Sequence, residues 1–365
     1  MVECLRKRQN TLQKRAQLWR PFSRTMQLAG IRSESLPPDS TGGQEQAGEA
    51  IARTPEAMAA ALRAHWGPIF SAKMVPQEKL DEFLDRVGVR FPEAPLPIPS
   101  EADVRFALTK ARPSAPGPDG LSYRAWRAVP QQVTVLHNLL LHLFAGHHVP
   151  EHLNDSIFAF LAKGTEPTDV LDCVRSPGAT RPLSLRNTDT KVLASAANRH
   201  LKPLVSERVH DVQKGFVSGR NFCANIASLD ARARIESQRP AAATDCPVLA
   251  TYDVAAAAFP SLGHQWLFNQ LRRVGLPDGY LHVIRALYHL PMAYARFGGC
   301  VIPMFFLLSG VLQGCPLSGS AWAFAMDPIL RALVAAVHFP PLVLILVKLG
   351  GAPTISGWCC HSCAC

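Results

Sequence analysis

Residues 309–330 read SGVLQGCPLSGSAWAFAMDPIL. Gly310 and Gly314 bracket Gln313, so the backbone there can approach a flat ligand closely, and the step from Pro316 to Ser318 starts a helix. A glutamine on a glycine hinge beside a helix start suits contact with a base pair. Upstream, PVLATYDVAAAAFPSLGH (247–264) predicts an apolar strand ending at Asp253, followed by four alanines and Phe259. A carboxylate at the lip of a sheet, with little bulk around it, fits a metal ligand or the N-cap of an alanine-rich helix.

Between and before these segments the pattern alternates helices with strands. Apolar spacing predicts helices near 130–146, 188–209, 223–237, 262–274, 279–289 and 319–336. Strands are predicted at 156–162, 247–253, 292–297 and 301–308, the last pair joined at Gly298, Gly299 and Cys300 as a hairpin. Ser100 with Asp103 three residues on predicts a helix start for EADVRFALTKAR. The fold class is therefore α+β, with an antiparallel component. Residues 1–99 read as a helical and linker lead-in: a basic start, a Gly/Ser/Pro/Gln-rich stretch, helical patterns at 53–66 and 76–88, then FPEAPLPIPS, whose prolines exclude helix. Residues 100–335 form the dense domain. Residues 336–365 change character and read as a divergent tail outside it.

Composition narrows the function. Of the 365 residues 48% are hydrophobic, enough to bury a core. The late apolar run Leu342 to Val347 is far short of the ~18 residues that span a bilayer, so no membrane is expected. The start MVECLRKRQNTLQKRAQLWR has no apolar signal core, which predicts an intracellular, non-secreted protein with nucleus or cytoplasm open. A net charge of +10 favours a polyanionic partner, nucleic acid first. Scattered cysteines read as small buried hydrophobes. In the tail, Cys360-x-x-Cys363 is at best half of a zinc pattern.

Two further segments carry chemistry. KARPSAPGPDGLSY (110–123) is a rigid, sharply turned loop around Asp119. FAFLAKG (158–164) and RPLSLRNTDTKVLASAANRHLKP (181–203) place Lys163 at a strand end, Arg181 beside a proline and Lys191 in a helix. Those three cations either converge on a triphosphate or are solvated surface charges.

In this order, APGPDG, AKG, RPLSLRNTDTK, QKGFVSGR (213–220), the Asp253 segment and GVLQGCPLSG resemble the reverse transcriptase domain of non-LTR (LINE-type) retrotransposons, over about residues 100–335. The resemblance implies a right-hand polymerase with fingers and a partial palm. It implies that Lys163, Arg181 and Lys191 contact the incoming nucleotide's phosphates. It assigns Asp253 to catalytic magnesium, Gln313 and Gly314 to the nascent pair, and Phe259 to the floor under the sugar that excludes a 2′-hydroxyl. RNA template, DNA primer and deoxynucleoside triphosphates are the implied partners, and Mg2+ the implied cofactor, two ions activating the primer hydroxyl and neutralising pyrophosphate. Oligomeric state stays open.

The chain departs from that pattern in three places. The aromatic-Ala-Asp-Asp motif that should follow is absent, and the acid after Gln313 is Asp327, inside the helix. Phe259 stands six residues after Asp253 where the family has five. No thumb or endonuclease segment is evident. The expectation is a retrotransposon fragment whose frame or splice changed near residue 336, inactive in catalysis. The alternatives are a non-enzymatic nucleic-acid-binding remnant and a chain that does not fold stably.

Overall fold

The computed structural model describes residues 28–33, 50–164, 166, 169, 172–238, 247–249, 258–297, 299–335 and 360–362. They fall into two compact units, one built from 1–65 and 159–182, the other from 66–158 and 183–365. The architecture is α+β, with parallel and antiparallel strand pairs among helices.

In the smaller unit β1 (Gly30–Ser33) pairs antiparallel with β2 (Ala50–Ala52) and parallel with β4 (Val174–Arg175). An ionic web ties it together. Arg175, 1% exposed, makes a two-pronged contact of 2.6 Å to each oxygen of Asp169. Its guanidinium holds the Asp169 carboxyl down at about 2. Arg53 grips Asp172 in the same bidentate way, at 2.9 and 2.6 Å. Planar guanidinium-carboxylate pairs of this kind fix geometry as well as charge.

The larger unit carries most of the helices. Helix α1 (Pro55–Phe70) enters it at Trp66, and α2 (Gln77–Val87) buries Leu80 and Leu84. Phe70 stacks on Phe305 and meets Phe158 edge-on, both at 5.5 Å between ring centres. Residues 66–99, read from sequence as lead-in, thus supply core side chains. The prolines of 91–100 keep that stretch extended, and its backbone pairs with turns instead: Phe91 N donates to Arg273 O and Ala94 N to Gly275 O, each at 2.8 Å. Helix α3 (Glu101–Lys110) starts with the expected reciprocal cap between Ser100 and Asp103. Next come α4 (Tyr123–Ala128) and α5 (Gln132–Phe144).

Strands β3 (Ser156–Ala162) and β5 (Thr180–Arg186) run from one unit into the other; β7 (Met292–Phe297) and β8 (Cys300–Phe306) form the hairpin. The sheet order is β5-β3-β7-β8; β3 pairs parallel with β7, and β7 antiparallel with β8. Helices α6 (Thr188–Arg208), α7 (Phe222–Ser237), α8 (Ala258–Ser261), α9 (His264–Arg273), α10 (Asp278–Leu287) and α11 (Ser318–Ala335) complete the unit. A separate pair joins β6 (Pro247–Leu249) and β9 (Cys360–Ser362). The strand expected at 247–253 is described over 247–249, and its remainder lies outside the described residues. Among the described residues no helix is long and apolar enough to cross a membrane.

Candidate nucleic-acid interface

The glycine-flanked segment that opens α11 is held from below by backbone. Gly310 N donates to Leu262 O at 2.6 Å and Val311 N to Phe259 O at 2.9 Å. Ser184 N, on β5, donates to Gln313 O at 3.0 Å. Gly314 has φ +109°, and a Cβ there would sit 2.6 Å from Ser184 O. Only glycine combines that backbone with that approach. The Gln313 side chain remains half-buried on top of this fixed turn.

Phe259, 7% exposed, lies between Trp322 at 5.0 Å and Phe216 at 5.5 Å. Phe216 is the outer end of that series, 41% exposed, in a left-handed backbone with φ +61°. Arg220 explains how a bulky residue is kept there. Its Nη1 donates to His210 O and Gln213 O, and its Nη2 to Ser206 O and Val209 O, all at 2.7–2.9 Å. Four carbonyls between residues 206 and 213 are thereby tied to one guanidinium, and the clamp offsets the strain at Phe216.

That loop forms one wall of a groove of about 720 Å³. Lys202, Lys214, Phe216 and Asn221 line it, with Pro316 and Ser320 from the start of α11 opposite. Lys202 is exposed and Lys214 half-buried. Flexible cations beside an exposed aromatic face are what a single strand uses, phosphates on the ammonium groups and a base on the ring.

The loop carrying Asp119 docks on the start of α6. A Cβ on Gly117 would fall 2.3 Å from Asn187 N, so the two backbones touch. Lys191, 7% exposed, donates from Nζ to Ala115 O at 3.1 Å, and burial lowers its pKa. Asp189 is pushed up to about 6, first by burial, and Asp119 nearby adds to the rise. In the smaller unit, Lys163 Nζ donates to Gly178 O at 2.8 Å. Its pKa is lowered by burial and then by the charge of Arg181, so these two cations are neighbours. Lys163 and Arg181 therefore belong to one unit, and Lys191, Phe259, Gln313 and Gly314 to the other.

Asp253 lies outside the described residues. Among the described residues no group of three or more His, Cys, Asp or Glu is placed to hold a metal ion. Asp327 is 1% exposed, and its oxygens accept from His210 N and Arg331 Nε, each at 2.7 Å. It is a packing carboxylate, as its place inside the helix predicts. From Pro328 to Cys365 the sequence has no acid at all.

In the sequence Phe216 stands between the basic residues Lys214 and Arg220 of QKGFVSGR, the local signal for this loop, while nothing local marks Lys202.

Part of the chain is similar to known proteins. Residues 166–345 match the family described as reverse transcriptase (RNA-dependent DNA polymerase). A transposon TX1 uncharacterized 149 kDa protein of Xenopus laevis is 23% identical over 285 residues, 76% of this chain and 21% of that protein. The Pol polyprotein of the type-1 retrotransposable element R2 from Bradysia coprophila is 29% identical over 225 residues, 60% of this chain and 23% of that one. The R2DM Pol polyprotein of Drosophila melanogaster is 25% identical over 244 residues, covering 65% and 21%. The chain thus spans about a fifth of the length of these relatives. Over residues 166–345 the chain thus matches a reverse transcriptase domain, and the relatives it resembles are transposon and retrotransposon proteins.

Proposed function

We propose that this chain handles the nucleic-acid strand and the nucleotide for an RNA-directed DNA polymerase of a non-LTR element, its partners being RNA template, DNA primer and deoxynucleoside triphosphates inside the cell. The observation that carries this reading is the groove of Lys202, Lys214 and Phe216 beside the Gly314 turn. In it the lysines bind phosphates, Phe216 supports a base, and Gln313 on its fixed turn meets the newest pair. Lys163 and Arg181 meet the nucleotide's phosphates, Lys191 holds the loop of Asp119 against α6, and Phe259 carries the sugar side from beneath Phe216. Fingers and partial palm occupy about residues 100–335, to which 66–99 add core side chains, with 336–365 as a divergent tail. In the family, bound magnesium supplies charge neutralisation at the reacting phosphates, and Asp253 is the residue of this chain assigned to it.

A second reading, binding without catalysis, is favoured by Asp327, whose two oxygens are both committed to packing. One preparation tests both. Salt-dependent binding of a primed RNA template, with no deoxynucleotide incorporation in magnesium, supports binding alone. Template-directed incorporation supports the polymerase, and binding that ignores salt contradicts both.

A further inference from the structure

A second cavity of about 280 Å³ opens on the larger unit and shares no lining residue with the basic groove. Its walls are Pro118, Val301 and the ring of Tyr294, with Asp119, His152, Asp155 and Asn187 at the polar positions. No Lys or Arg is among these lining residues, while two are aspartates. A phosphate is therefore disfavoured there, and a neutral, flat, donor-rich group is favoured.

The polar groups differ in what they have left to offer. Asp155 is the more engaged of the two carboxylates: it accepts from Met292 N at 3.2 Å, Tyr294 Oη at 3.3 Å and His152 Nδ1 at 2.9 Å. It fixes the Tyr294 and His152 rings as walls. Asp119 is oriented but open. Its N–H is held by Asn187 Oδ1 at 3.3 Å, and its Oδ1 accepts from Leu121 N at 3.0 Å. The carboxylate edge is pre-aimed, with capacity for further donors.

Among the nucleobases only guanine presents two adjacent donors, N1–H and the N2 amino group. Adenine and cytosine place a ring-nitrogen acceptor beside their amino group, which a carboxylate repels. Uracil has one N–H between two carbonyls. The amide N–H groups of Asn187 are donors of the type that guanine O6 requires. We infer that this cavity receives one unpaired guanine base, its donor edge on the Asp119 carboxylate and its plane between the Tyr294, His152 and Pro118 walls.

Guanosine, which has no phosphate, tests the cavity without engaging the groove. Calorimetric titration of the full chain is expected to show saturable guanosine binding that is unchanged between low and high salt. Inosine, lacking the N2 amino group, should bind about tenfold more weakly, and adenosine more weakly still. Asp119→Asn should cost about tenfold or more, and Val301→Trp, which fills the space and keeps the Asp119 carboxylate, should abolish binding. Both variants should keep the wild-type thermal transition and salt-dependent strand binding. If Asp119→Asn disturbs its turn, Val301→Trp still decides. Absence of guanosine binding, equal affinity for guanosine and inosine, or wild-type affinity in Val301→Trp overturns the inference. Loss of strand binding alone would instead count against the proposed function.

Discussion

The two concavities of the larger unit are opposites. The groove at Phe216 presents Lys202 and Lys214, while the cavity at Asp119 presents aspartates and neither lysine nor arginine among its lining residues. Both are anchored on α6: Lys202 lies near its C-terminal end, and Asn187 stands just before its start. The difference teaches that a net charge of +10 does not paint the surface evenly. A phosphate-bearing strand is the expected occupant of the first, and a donor edge without phosphate that of the second.

The largest expected effect comes from the turn between them. Gly314→Val adds a β-branched side chain at φ +109° and against Ser184 O. It should cost about 3 kcal/mol or more in urea unfolding and lose strand binding through displacement of Pro316, while guanosine binding survives in the fraction that folds. Wild-type stability would show that the turn is not clamped.

Next is the charge buried beside the cavity. Asp189 keeps its proton up to about 6 in the folded chain and to 3.8 when free. Between those values the folded state holds more protons than the unfolded one. Its contribution to stability therefore falls as pH rises through that window and is flat above it. Asp189→Asn should remove the decline and raise stability at neutral pH by about 2 kcal/mol. A pH profile identical to wild type would contradict this. Asp169 in the smaller unit has the opposite sign: Arg175 holds it down at about 2, so its stabilisation is present above about 4 and is lost as pH falls towards 2.

Phe216→Ala should weaken single-stranded RNA by about 1–2 kcal/mol, measured by fluorescence anisotropy, with guanosine affinity unchanged. The smallest effect belongs to the lysines singly. Lys202→Ala or Lys214→Ala should each lower the slope of log K against log salt by about 0.7 without moving guanosine binding.

Much of this was legible in the chain. Strands β3 and β7 follow from their short runs of apolar and aromatic residues, and the Ser100 cap from its spacing to Asp103. The Gln313 and Gly314 turn was readable because two glycines at that distance have few other uses. Strand β5 was not assigned: RPLSLR was read for its charges, although its alternating burial is a strand's signature. The short strands β1, β2 and β4 carry too few residues for a periodicity. Lys191 could be placed in a helix, but its partner Ala115 is 76 residues away, and local pattern holds no such information. The left-handed backbone of Phe216 is not marked in the sequence, because the nearby Arg220 holds the loop through carbonyls 7 to 14 residues before it.

The most direct test of the account is the salt dependence of single-stranded RNA binding, wild type against the Lys202→Ala/Lys214→Ala double variant. The account predicts affinity that falls steeply with salt in the wild type, and a slope shallower by about 1.4 in the variant, with the thermal transition unchanged. Equal slopes would place the strand elsewhere and contradict the groove as its site.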